Sequence, residues 1–172
     1  MTGEERRRKI LAQLQEADTP LSGTALAKAF HVSRQIIVQD IALMRAENHP
    51  ILSTSKGYIC RPQEGERSQP MRVFYVRHHT EQVLDEFMTV VELGGRVLDV
   101  AVEHELYGQI RVDLLIETEQ DVQDFVSRLS ACRDNPLKVL TDDCHCHTVA
   151  APSVKLLDLI ERELREKGYL IG

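Results

Sequence analysis

The sequence predicts an α+β protein in two parts: a small helical unit closed by a β-hairpin, then a small α+β sandwich with a largely antiparallel sheet. Three observations predict it. Residues 1–61 carry nine Lys/Arg against six Asp/Glu, whereas residues 62–172 carry twelve against twenty-one, so a basic first third adjoins an acidic remainder. The stretch PQEGERSQP at 62–70 is polar, is bracketed by Pro62 and Pro70 and contains Gly65 and Ser68, which is a linker composition. The element order changes across it, from helix-helix-helix-hairpin to β-α-β-β-α-β-β-α. The expected division is therefore 1–61, a linker at 62–70, and 71–172.

In the first part, EERRRKILAQLQEA sets Ile10, Leu11, Leu14 and Ala17 at helical spacing. Pro20 interrupts the chain, and Ser22 caps a second helix that turns Leu26, Ala27 and Phe30 inward. After the short connection HVS, Ser33 caps a third helix with Ile36, Ile37, Asp40, Ile41 and Met44 in register. ILSTSKGYIC is β-rich and reads as a hairpin with Gly57 at its turn.

In the second part, MRVFYVRH alternates as a strand. TEQVLDEFMTVVELGG is a helix, with Thr80 as its cap, Val83, Leu84, Phe87, Met88 and Val91 as its apolar stripe, and Gly94-Gly95 as its end. RVLDVAVEH and QIRVDLLIE are strands joined at Gly108. TEQDVQDFVSRLSAC is a helix with Val122, Phe125, Val126 and Leu129 inward, and LKVLT and HCHTVA are two short strands. SVKLLDLIERELREKG is a last helix from Ser153 to Gly168.

Composition narrows the function classes. A hydrophobic fraction of 42% in 172 residues excludes a wholly disordered chain. No apolar run approaches the roughly 18 residues of a membrane helix, and the charged start EERRRK is not followed by the apolar core of a signal peptide. The expected location is the cytoplasm, without a membrane partner. There Cys60, Cys132, Cys144 and Cys146 are expected as thiols or ligands rather than disulfides.

Helix, helix, short turn, helix, hairpin is the winged helix-turn-helix order, and its chemistry suits double-stranded DNA. Ser33, Arg34 and Gln35 open the third helix, where side chains reach base edges and phosphates, and Gln39 follows one turn on. Lys56 at the hairpin tip, with Arg6, Arg7, Arg8 and Lys9, would meet phosphates. The alternative is a helical docking domain with a solvated arginine run. The SRQ opening and the Lys-Gly wing favour DNA.

The second part holds a different chemistry. His145 and His147 stand two apart on a strand, so their imidazoles share one face. His78 ends the first strand, and Glu86 lies eight residues on, placed to swing back toward it. Three imidazoles and a carboxylate make a site for one divalent transition metal per chain; the donor set suits Zn, Ni, Fe or Mn, zinc and nickel foremost. The string DCHCH also suggests a Cys/His knot, but period two turns Cys144 and Cys146 to the opposite face. His79 should face away from His78, and His31 and His49 sit at ordinary helix boundaries. His104, with Tyr107 in the adjoining turn, either lines a ligand pocket or is a plain strand-end residue. No G-x-S-x-G, H-E-x-x-H or G-x-G-x-x-G occurs, and no carboxylate pair stands out for acid–base work, so an enzyme is not expected.

These residues resemble one family along nearly the whole chain. LSGTALAKAFHVSRQIIVQDIALMRA followed by SKGYI resembles the biotin-repressor-type winged helix. RHH at 77–79 with Glu86, VVELGGRVLDVAVEHELYG at 90–108 and LTDDCHCHT at 140–148 resemble the three-histidine (3H) domain. The combination is similar to the NiaR-type niacin-responsive transcriptional repressors. The resemblance implies a repressor of NAD-biosynthesis or niacin-transport genes with nicotinic acid as co-repressor. It also implies a metal on His78, Glu86, His145 and His147. It departs at Asp143, where the family has Gly, and at Cys146, where the family has an apolar residue. A homodimer on a two-fold operator would follow. The competing readings are a regulator for which the metal itself is the signal, and a metal-dependent hydrolase fused to a DNA-binding domain.

Overall fold

The computed structural model describes residues 1–60 and 69–172. The chain divides into two compact units, Met1–Gly65 and Glu66–Gly172, each with its own apolar core. The expected linker lies, apart from Gln69 and Pro70, outside the described residues.

In the first unit, α1 (Gly3–Glu16) starts at Thr2, which forms a reciprocal capping box with Glu5. Ser22 caps α2 (Gly23–Ala29) through the Ala25 N–H, and Ser33 caps α3 (Arg34–Ala46) through the Ile36 N–H. Ile10, Leu14, Leu26, Ile37, Ile41 and Met44 are buried together. Each such side chain stabilises the fold by roughly 1.5–3 kcal/mol relative to exposure. Strands β1 (Ile51–Thr54) and β2 (Gly57–Cys60) form the antiparallel hairpin. Leu21 and Tyr58 exchange both backbone hydrogen bonds at 2.8 Å, which draws the hairpin against the start of α2. That approach dictates Gly57: its φ is 142°, and a Cβ there would stand 2.2 Å from the Leu21 carbonyl oxygen.

The second unit runs β3 (Met71–Arg77), α4 (Val83–Glu92), β4 (Arg96–His104), β5 (Gly108–Ile116), α5 (Glu119–Ala131), β6 (Cys144–Ala150) and α6 (Val154–Glu166). The sheet order is β3-β6-β4-β5, every neighbouring pair antiparallel. Phe74 and Val76 of β3, Val97 of β4, Ile116 of β5 and Val149 of β6 pack against Phe87 and Val90 of α4, Val122 of α5, and Leu157, Ile160 and Leu164 of α6. Alternation leaves Val73 and Tyr75 of β3 exposed on the other face.

Three local expectations are corrected. LKVLT is not a strand: Leu137–Thr141 is a 3-10 helix that ends in Asp142 and Asp143, both left-handed with φ of 52° and 64°. Thr80 does not cap α4, because Thr80–Gln82 forms a separate 3-10 turn and the α-helix begins at Val83. The apolar stripe of α4 is consequently rotated. Val83, Glu86, Phe87 and Val90 face inward at i, i+3, i+4 and i+7, and Leu84 is exposed.

Candidate functional site

The rotation of α4 puts a carboxylate in the middle of its buried face. Glu86 is 2% exposed, and three histidines meet it. His78 arrives from the segment after β3. His147 and His145 stand on the core-facing side of β6, opposite Phe74 and Val76 in the β3 register. The ligand-capable atoms of His78, Glu86, His145 and His147 all lie within 4.8 Å of one another. His78 Nε2 is 2.6 Å from Glu86 Oε2, and His147 Nε2 is 3.6 Å from Glu86 Oε1. The rings of His78 and His145, and of His145 and His147, stand edge to face with centroids 4.8 Å apart.

The outer nitrogens of all three rings are already occupied. His78 Nδ1 lies 2.9 Å from the His79 carbonyl oxygen, His145 Nδ1 lies 2.9 Å from that of Asp143, and His147 Nδ1 lies 2.6 Å from that of Asp99. A carbonyl oxygen only accepts, so each Nδ1 carries a proton and each Nε2 faces the cluster, where a neutral ring offers its lone pair; His78 Nε2 shares a proton with Glu86 Oε2 across 2.6 Å. His78 Nε2, His147 Nε2 and Glu86 Oε2 are fully buried and have no hydrogen-bond partner outside the cluster. Buried polar atoms are almost always satisfied. Lone pairs converging from imidazoles whose far nitrogens are tied to carbonyls are the arrangement of a divalent-metal site with its supporting hydrogen bonds in place. The residues therefore fit a metal ion with three nitrogen donors and one carboxylate.

Electrostatics sort the donors. Burial pushes Glu86 toward protonation, but the three imidazoles, His147 foremost, outweigh it and hold the carboxyl below its ordinary range. Burial pushes His78 down, and the adjoining Glu86 outweighs that and raises it. Burial and the neighbouring His147 take His145 down to about 4, so it is neutral at physiological pH.

A second layer supports the cluster. Lys138, 4% exposed, donates to the His78 carbonyl oxygen at 2.8 Å and to Asp143 Oδ1 at 2.5 Å. Asp143 holds the left-handed φ that a glycine would take freely, and its carboxylate is fixed by Lys138 and by His79 Nδ1 at 3.2 Å. Phe87 packs its ring edge-on to His147, and Tyr169 does so to His78. Lys138 and Asp99 escaped sequence reasoning, because carboxylates and lysines are common and no spacing marks those that support a donor; Asp143 was singled out only as a departure in the turn before the H-x-H pair.

The remaining expected residues fall as follows. Cys144 and Cys146 share the opposite face of β6 with their cross-strand neighbours Arg77 and Tyr75, away from the cluster. Burial, then the charges of Asp99 and Glu103, push the Cys146 thiol up. His79 has its side chain 81% exposed. The structure does not bring His104 and Tyr107 into the cluster. Their rings lie 4.9 Å apart in the β4–β5 turn, where His104 Nδ1 accepts from the Leu106 and Tyr107 backbone N–H groups. In the first unit, Ser33, Arg34, Gln35 and Gln39 are exposed along one end of α3, and Lys56 is half-buried at the hairpin tip. Arg6 and Arg7 are engaged with Asp40 instead of projecting freely, while Arg8 and Lys9 are exposed.

Comparison with known proteins agrees with both halves. Residues 71–172 match the 3H domain and residues 6–59 match an HTH domain. The chain is 39% identical over 168 residues to the probable transcription repressor NiaR of Thermotoga maritima, covering 98% of this chain and 94% of that one. It is 36% identical over 172 residues to the transcription repressor NadR of Bacillus subtilis, covering 99% of this chain and 96% of that one.

Proposed function

The chain belongs to the family of 3H-domain transcription repressors, and from that premise we propose that it represses genes of NAD biosynthesis or niacin transport by binding double-stranded operator DNA, with nicotinic acid as co-repressor and one divalent metal per chain. The observation that carries the metal is the convergence on one point of buried Nε2 and Oε2 atoms that have no partner outside the cluster. Nicotinic acid rests on the family resemblance. The metal ligands are His78, Glu86, His145 and His147. Bound there, a divalent ion would supply the positive charge that a carboxylate needs inside an acidic domain.

The chain's own residues divide the remaining work. Lys138 and Asp143 fix the loop that presents His78 and His145. Phe87 and Tyr169 keep water from the rings. A cavity of about 260 Å³ adjoins His145 and is lined also by Tyr75, Ala101, Thr141 and Cys144. It opens on the Tyr75, Cys144 and Cys146 face of the sheet, with Glu103 on its wall, so His145 is its one link to the cluster. Ser33, Arg34, Gln35 and Gln39 read the operator and Lys56 meets phosphate. A homodimer matches a two-fold operator, and a repressor acts where the DNA is, in the cytoplasm. No helix among the described residues is long and apolar enough to cross a membrane.

The burial of all four donors favours one second reading, in which the metal alone is the signal. A DNA-binding titration at fixed salt separates the two. Metal-loaded protein is titrated with operator DNA alone, with nicotinate and with nicotinamide. Nicotinate should tighten binding by about 1–3 kcal/mol, a typical allosteric coupling, and nicotinamide, which lacks the carboxylate charge, should do much less. Glu86→Ala should lose the coupling and keep basal DNA binding. Equal affinities in all three conditions, with a response to metal alone, would replace nicotinate by the metal as effector.

A further inference from the structure

Asp99 is 1% exposed, and neither the core nor the sequence motifs give it a task. A carboxylate on an interior strand is costly to bury and needs partners. Strand β4 lies between β6 and β5, and its register slips across this residue against β6 and beside it, at Leu98, against β5. Against β6, residues 98–100 stand opposite 147 and 148, between the pairs Val97↔Val149 and Ala101↔Cys146. Against β5, Leu98 stands opposite Leu114 and Leu115, between the pairs Val97↔Ile116 and Asp99↔Asp113. Leu115 adopts φ of 54°, a conformation bulky residues rarely hold. Back-to-back bulges re-aim groups, and bulges gather beside functional sites.

Here the group re-aimed is Asp99 itself. Its carbonyl oxygen accepts from His147 Nδ1 at 2.6 Å. Its Oδ1 accepts from the Thr148 N–H at 2.8 Å. Its Oδ2 lies 2.7 Å from Arg111 Nη2, whose side chain is 53% exposed. One residue thus grips two consecutive residues of β6, and one of them is a donor of the cluster. His78 and His145 lean on carbonyls of their own segments; His147 leans on another strand.

We propose that Asp99, held in place by Arg111, is a positioning residue of the metal centre: it sets the ring plane and tautomer of His147 so that Nε2 faces Glu86. The proposal rests on the metal reading above. Bonds to the outer nitrogen of a ligating histidine typically change metal affinity 10–100-fold when lost.

The test uses the full-length chain loaded with Co²⁺, read by chelator competition and by the ligand-field absorption bands. Asp99→Ala keeps the carbonyl that accepts from His147 Nδ1 but loses the side-chain hold on the Thr148 N–H and on Arg111 that places it, and should bind Co²⁺ several-fold more weakly, with shifted bands. Asp99→Asn keeps an oxygen for the Thr148 N–H and should recover most of the loss. Val122→Ala, a core truncation in the same unit, should lower Tm and leave the bands unmoved. If Asp99→Ala does not fold, Arg111→Met, changed at a half-exposed side chain, should still shift the bands and weaken Co²⁺ several-fold. Wild-type affinity and bands in Asp99→Ala, or in Arg111→Met where only that variant folds, overturn the proposal; so do equal band shifts in Val122→Ala. Absence of cobalt bands in the wild type would instead remove the metal reading on which the proposal stands.

Discussion

Arg6 grips Asp40 through two bonds, Nε to Oδ2 at 2.6 Å and Nη2 to Oδ1 at 3.2 Å, and so ties the first helix to the third. Arg7 stands 3.5 Å from the other side of the same carboxylate, whose side chain is 3% exposed. The carboxylate raises Arg6 above its usual range. Removing one partner of such a pair strands the other. Asp40→Ala should cost about 3 kcal/mol in urea unfolding of the first unit, at the low end for a buried pair because Arg6 retains some solvent contact. The double variant Arg6→Met/Asp40→Leu should cost much less. Equal losses in the two would mean that the pair stabilises by packing alone.

Arg34→Ala and Gln35→Ala should each weaken specific operator binding by about 1–3 kcal/mol per lost base contact. Neither should change Tm much, since both side chains are exposed. Lys56→Ala should weaken binding evenly across sequences and flatten the dependence on log salt by about one unit. Fluorescence anisotropy with specific and scrambled duplexes at several salt concentrations measures both. Unchanged operator affinity in the two α3 variants would move the reading surface elsewhere.

His145→Ala/His147→Ala should abolish the bound divalent ion, while Cys144→Ser/Cys146→Ser should leave it. The reason is alternation along β6, which turns the thiols to the face opposite the imidazoles. Elemental analysis of purified chains decides it. Metal retained in the histidine variant and lost in the cysteine variant would replace the imidazole site by a thiolate one.

Protonation sets the pH dependence. His78 is raised in the metal-free fold, so its pairing with Glu86 stabilises that form fully below the unfolded histidine value of about 6.5. The contribution is lost as pH rises through the raised folded value. Metal donors must be deprotonated, so metal affinity should climb through the same window and level off above it. His145, at about 4, is already neutral there and adds no proton. Calorimetric titration in buffers of different ionisation enthalpy should find about one proton released per metal within the window. A pH-independent affinity across it would contradict the His78–Glu86 coupling.

Much of the cluster was legible because its main signal is period two. His145 and His147 must share a face on any strand, and the strand exists because the segment is flanked by a turn and a capped helix. Glu86 was legible as a candidate, yet its burial was not: the 3-10 turn at Thr80–Gln82 takes the first residues of the expected helix and rotates the rest. LKVLT misled because short apolar runs look alike in either state, and the bond that ties Lys138 to His78, sixty residues away, cannot be read from the segment itself. Asp99 was invisible, since a bulge is a relation between strands and leaves no mark in composition.

The last described residues lie along β3. Leu170 bridges to Val76, the Arg77 N–H donates to the Tyr169 carbonyl oxygen at 2.9 Å, and the Ile171 N–H donates to that of Tyr75 at 2.9 Å. The Tyr75–Arg77 end of that rim is thereby covered, and β5 at the other rim is the outermost strand. Exposed strand edges are templates for runaway pairing between chains. The longest such edge is that of β5, Gly108–Ile116, and the positive φ of Leu115 beside its bulge bends it away from the flat template that pairing between chains needs.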